Sequence, residues 1–220
     1  MNRFWGLQDS SITFCEKDYD QSFYIAEYYN SISGLAYSLV GLWYYNSRLS
    51  RELSYSCILL GLSTALFHGT MRYYGQMADE LSMLILSYYL IKEIHTDLPF
   101  QALGVALSIY GMAYDIFPIF FILFMSAQVY LYYLSEFFKI YFEKAATHTW
   151  QSTRVNSLIK KKNYTALIGG ICWALDMFLC DFIGVSYLHA LWHIFTALAL
   201  YYGCEIILTY KIDHILKSSE

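Results

Sequence analysis

Residues 116–138 read IFPIFFILFMSAQVYLYYLSEFF, twenty-three positions in which Glu136 is the one charged residue. At 1.5 Å of rise per residue, about 20 such positions cross the roughly 30 Å hydrocarbon core of a bilayer. A helix this uniformly apolar has no polar face to turn to water, so it belongs in a membrane or deep in a large core. Working outward, six further runs approach the same length: Ser31 to Ser47, Ser54 to Tyr73, Met77 to Lys92, Pro99 to Tyr114, Tyr164 to Ser186, and Leu188 to Thr209. The expected fold is all-α, a polytopic bundle of seven transmembrane helices over residues 31–210. An extramembrane segment, 1–30, precedes it and a cytoplasmic tail, 211–220, follows.

Composition agrees. Of 220 residues, 57% are apolar and 15% charged, against about a quarter charged in an average soluble chain, and the mean hydropathy is +0.36. Aromatic residues make up 20% of the chain, which excludes a disordered polymer, and 2 Pro with 12 Gly exclude a collagen-like one. The formal charge of -4 leaves no overall basic field to neutralise phosphates, so no nucleic-acid partner is expected. Residues 1–30 lack the short apolar core of a cleavable signal, and the first span is expected to serve as the insertion signal. Besides them, only Tyr141 to Asn163 is long enough to hold more than a turn.

The basic residues set the orientation. In a seven-span arrangement Arg48, Arg51, Lys92, Lys139, Lys144, Arg154, Lys160, Lys161, Lys162, Lys211 and Lys217 fall on one side, with Arg3, Lys17 and Arg72 on the other. The positive-inside rule then places the C-terminus in the cytoplasm and the N-terminus outside or in a lumen.

Polar residues inside apolar runs are costly and therefore informative. His95, His148 and His214 sit in polar surroundings and read as solvated loop residues. His68 closes the second span in LFHGT, and His189 and His193 open the seventh in LHALWH. The i, i+4 spacing puts the latter two on one helix face. Opposite chain directions bring all three His to the same depth below the outer surface. Singly, each reads equally well as an interfacial residue bonded to carbonyls or headgroups. Together, three neutral imidazoles with one position left for water make a catalytic zinc site, and no Cys cluster competes for the ion.

Asp79, in QMADELSML at the start of the third span, shares that face and is placed to orient water or take its proton. Asp79 reads otherwise as a helix N-terminal acid favoured by the macrodipole, and the neighbouring Glu80 reads as no more than that. Thr64, one turn before His68, offers a hydroxyl for a developing oxyanion, unless it bonds back to its own helix. Asp176 lies mid-span without a legible partner. Glu16, Asp18, Asp20 and Glu27 form an acidic cluster, solvated or able to hold a hard cation, without the spacing of a helix-loop-helix calcium loop. Five Cys allow at most two internal pairs. Only Cys15 and Cys180 lie near the outer face, where an oxidising compartment lets them join. Cys57, Cys172 and Cys204 read as small apolar residues of the membrane interior.

Together these residues resemble an alkaline ceramidase, within the wider group of seven-span zinc hydrolases and receptors that includes the adiponectin receptors. The resemblance rests on Trp5-Gly6, on CEKDY leading to YIAEYYNSIS (Cys15 to Ser33), on FHGT and QMADEL (Phe67 to Leu81), on DMFLCD (Asp176 to Asp181) and on HALWH (His189 to His193). It implies zinc on His68, His189 and His193, with Asp79 placing or activating water. Thr64 stands where the family usually has Ser. It implies calcium on Thr13, the Phe14 carbonyl, Glu16, Asp18 and Glu27, with Thr13 replacing a usual Asp and Asp18 a usual Asn. Cys15 and Cys180 match a pair that the family joins as a disulfide. The implied reaction is cleavage of the amide of a ceramide-like membrane lipid to a sphingoid base and a fatty acid. A receptor-like zinc protein with little hydrolysis, and a hydrolase of another N-acyl lipid, stand as alternatives. A small transporter would show inverted repeats and broken spans, and neither is visible.

Overall fold

A computed structural model describes residues 4–113, 116–144, 149–185 and 187–218. Arg3, His148 and the last two residues of the tail, all used in the reading above, lie outside the described residues. Those described form seven α-helices and no strand: α1 (Tyr28–Tyr44), α2 (Arg51–Thr70), α3 (Tyr73–Lys92), α4 (Phe100–Met112), α5 (Phe117–Lys144), α6 (Thr149–Ile183) and α7 (Leu188–Ser218). Helices packed in chain order, with α7 returning against α1, make a ring. α4 is the short member, touching α3 and α5.

Three helices, α5, α6 and α7, hold stretches long and apolar enough to cross a membrane. α1, α2 and α3 have spanning length or close to it but a mixed composition. On α2, Tyr55, Leu59, Leu62 and Leu66 are exposed while Ser56, Ser63 and Thr64 are buried. This polarity is inverted relative to a soluble helix and suits an apolar solvent. A scan for apolar runs dilutes such helices with the polar residues they turn inward.

Small residues bring α1 against α2. A Cβ at Gly34 would lie 2.6 Å from Thr64 Cγ2, and one at Gly41 would lie 2.6 Å from the Ser54 carbonyl oxygen. Close approach of this kind needs glycine, and here it presses Thr64 into place.

Helix ends differ from the sequence expectation where charge begins. The stretch 141–163, read as a connection, is largely helical, because α5 continues to Lys144 and α6 starts at Thr149. Lys, Arg and Glu end an apolar run but are good helix formers, and Val155, Leu158 and Ile159 bury a face of the extension. α7 likewise passes Thr209 and carries Asp213, which accepts a 2.9 Å bond from the Tyr141 hydroxyl, and Lys211, paired with Glu93. His214 is thus an exposed residue on a helix, not in a loop. His95 Nε2 bonds the Tyr130 hydroxyl at 2.8 Å.

Candidate metal centre and catalytic site

The site is assembled by a crossing of the N-terminal segment over the end of α2. The last carbonyls of a helix have no partner within it. Here His68 O accepts the Glu27 N–H and Gly69 O accepts the Ala26 N–H, both at 2.9 Å. Met71, left-handed with φ 50°, ends α2, and α3 starts two residues later. Glu27 is thereby set beside His68, and Asp79 returns on α3 opposite Thr64.

The three His converge. One ring nitrogen from each of His68, His189 and His193 lies within 4.8 Å of the others, and the side chains are only 1%, 4% and 3% exposed. Their outer nitrogens show how the tautomers are held. His68 Nδ1 lies 2.7 Å from Glu27 Oε2; with Glu27 ionised, Nδ1 carries the hydrogen and Nε2 keeps its lone pair. The Ser33 hydroxyl donates to the Asn30 carbonyl at 3.0 Å. Its oxygen therefore accepts from His193 Nδ1 at 2.8 Å, with the same result. Neutral imidazoles with their outer N–H groups held by oxygen, as at His68 and His193, are the arrangement a divalent metal needs, so these residues fit the ion expected of them.

Beside the cluster, Thr64 Oγ1 donates to Asp79 Oδ1 at 2.5 Å. Both residues and all three His line one cavity of about 590 Å³, whose walls are mainly apolar and whose opposite end is marked by Lys162. That volume is in the range of small-molecule sites. Along α7 the lining runs from His189 to Ile207, roughly 27 Å at the helical rise.

Cys15 and Cys180 are joined as a disulfide with a Cα–Cα distance of 5.4 Å. The bridge ties the N-terminal segment to the end of α6, just beyond the non-helical backbone at Leu179. It also seats the preceding residue, Phe14, whose ring lies 3.9 Å from that of His189 and 4.9 Å from that of His68.

Two carboxylates of the acidic cluster have partners in the fold. Glu16 accepts the N–H groups of Tyr29 and Asn30 at 2.7 and 2.8 Å, capping the start of α1 in place of Glu27, whose side chain makes no cap bond. Burial pushes the Glu16 carboxyl above its usual range, and the charge of Glu27 adds to this against those N–H bonds. Burial pushes Glu27 up more strongly, Asn30 opposes it, and Asp18 and Asp176 raise it further. Like charge is therefore concentrated here. Among the described residues, the three His are the one group of three or more His, Cys, Asp or Glu gathered as metal ligands. Thr13 is exposed.

Sequence reasoning missed the roles of Ser33 and Asn30 and the bond between Glu27 and His68. Their spacing from the His residues, 41 positions for Glu27 and 160 for Ser33, carries no local periodicity. Glu80, read as a helix-start acid, is buried and bonded to Gln76 and Tyr110 at 2.9 and 2.7 Å.

The family model described as Ceramidase matches residues 6–219. The alkaline ceramidase of Arabidopsis thaliana is 30% identical, over 91% of this chain and 84% of its own length. Alkaline ceramidase YPC1 of Saccharomyces cerevisiae is 25% identical over 90% of this chain and 75% of its own. Alkaline ceramidase 1 of Homo sapiens is 24% identical, over 92% and 83% respectively.

Proposed function

Because the chain belongs to the ceramidase family, we propose that it is a membrane-embedded amidohydrolase that cleaves ceramide-like lipids to a sphingoid base and a fatty acid. The observation that carries the reading is the convergence of three buried imidazoles and the Thr64–Asp79 pair at one end of an apolar cavity. His68, His189 and His193 would hold zinc, which supplies Lewis acidity to the amide carbonyl and to water. Asp79 takes the proton that water loses as its oxygen joins the carbonyl carbon. It then delivers that proton to the nitrogen as the C–N bond breaks. Thr64 holds Asp79 ready for this by donating to Oδ1, and when Asp79 carries the proton the Thr64 hydroxyl is released to donate to the oxyanion. The apolar walls bind the tails by ordinary burial. Lipid mass spectrometry after incubating purified protein with a mixed panel of N-acyl lipids tests the assignment. Release of sphingoid base from ceramide supports it, and cleavage of a different N-acyl lipid alone replaces the substrate.

The proposed setting is a seven-span bundle with the N-terminus in a lumen or outside and the C-terminus in the cytoplasm. The inward-polar, outward-apolar α2 and the basic asymmetry support it. A tag after the last residue should be digested by protease only from the cytoplasmic side, and digestion only from the opposite side reverses the arrangement.

Calcium is proposed at the N-terminal segment, on Glu16, Asp18, Glu27, the Phe14 carbonyl and Thr13, where the charge of Glu27 acts on Glu16 and that of Asp18 on Glu27. An ion bound only by the folded state raises the melting temperature. Calcium is expected to raise it, with a larger rise in Thr13→Asp. No response in the parent, restored in Thr13→Asp, would mean that Thr13 disables the site.

A further inference from the structure

Two of the three His have an oxygen partner on the outer ring nitrogen, Glu27 for His68 and Ser33 for His193. His189 Nδ1 is buried with none. Next to it is a second unmatched group. Asp176, 2% exposed, uses Oδ2 to accept the Cys15 N–H at 3.2 Å, and the backbone N–H of His189 acts on the same carboxylate. Its Oδ1 is also buried without a partner. A buried donor and a buried acceptor left over at one place call for an explanation, and metal-ligating His residues nearly always give their outer N–H to a carboxylate, carbonyl or water.

We infer that Asp176 is the positioning residue of His189. Its Oδ1 accepts the Nδ1–H of His189 through one bridging water, and so selects the tautomer that leaves Nε2 as a ligand. This accounts for a buried carboxylate near the end of the apolar stretch of α6, where an acid with no task is costly. The same side chain holds the Cys15 N–H next to the disulfide, so it joins the N-terminal segment, α6 and α7 at the metal centre. The inference rests on the metal reading above.

Zinc affinity, measured by chelator competition on the full-length purified protein, separates this role from a purely structural one. Asp176→Asn keeps one carbonyl oxygen for the Cys15 N–H but removes the charge and the second carboxylate oxygen. It is expected to bind zinc roughly 10–100-fold more weakly than the parent, with the Cys15–Cys180 bond intact by nonreducing peptide mapping. Asp176→Ala should lose at least as much. If Asp176 serves only to hold the N-terminal segment, Asp176→Asn will bind zinc as the parent does and Asp176→Ala will merely melt earlier, which overturns the inference. A parent protein that takes no zinc at all removes the metal reading and this inference with it, whereas a zinc-binding parent with an unaffected Asp176→Asn removes the inference alone.

Discussion

Purified His193→Ala protein is expected to carry almost no zinc and to release sphingoid base at least about a hundredfold more slowly than the parent. Loss of a mere outer partner costs roughly 10–100-fold in metal affinity, and losing one of three protein ligands removes more. The same follows for His68→Ala and His189→Ala, because each residue supplies one nitrogen to the same 4.8 Å set. Each His lies at or near a helix end and not in the middle of a packed seam: His68 in the last turn of α2, His189 and His193 in the first turns of α7. Truncation should therefore leave the bundle assembled, which circular dichroism checks. Metal analysis beside product mass spectrometry decides the outcome. Zinc-free parent protein that turns over at full rate would sink the centre. Zinc-loaded parent protein that leaves every N-acyl lipid intact would turn the reading toward a receptor-like member of the same group.

The second large effect is expected at Asp79. Asp79→Asn preserves shape and can still accept from Thr64, so zinc and fold should be kept while the proton carrier is lost. A positioned general acid–base group contributes about 10²–10⁴ in rate, and a fall of that size in kcat with little change in KM is the expected signature. Thr64 separates hydroxyl from packing. Its methyl lies against Gly34 and its hydroxyl on Asp79. Thr64→Val keeps the bulk and loses the donor, with an expected loss on the order of a hundredfold. Thr64→Ser keeps the donor and should stay within a few-fold of the parent, as an order-of-magnitude expectation from the same donor contribution. Full activity in Thr64→Val would make Thr64 a packing residue.

The reading of the chain was strongest where chemistry is dense in local sequence. HALWH places two imidazoles on one face by helical spacing alone, and FHGT followed by QMADEL carries His68 and Asp79 within twelve positions. The weaker parts have identifiable causes. The extent of α5, α6 and α7 was underestimated, because hydropathy falls at Lys139 and Lys211 while helix propensity does not. Composition does not tell a carboxylate that caps a helix, as Glu16 does, from one that bonds an imidazole, as Glu27 does.

By itself the sequence determined that this is an all-helical chain built for an apolar solvent, with His and Asp residues too costly there to be idle, because apolar run length and helical period are local properties that each segment carries alone. Only the tertiary structure decided which partner each costly residue has. Glu27 reaches His68 because the N-terminal segment supplies N–H groups to the open carbonyls at the end of α2, Ser33 reaches His193 because α7 closes the ring against α1, and Thr64 meets Asp79 because Gly34 lets α1 press on α2. These pairings depend on backbone groups and close approaches between segments far apart in the chain. A buried polar group must be satisfied somewhere, and the sequence states that need without naming the partner.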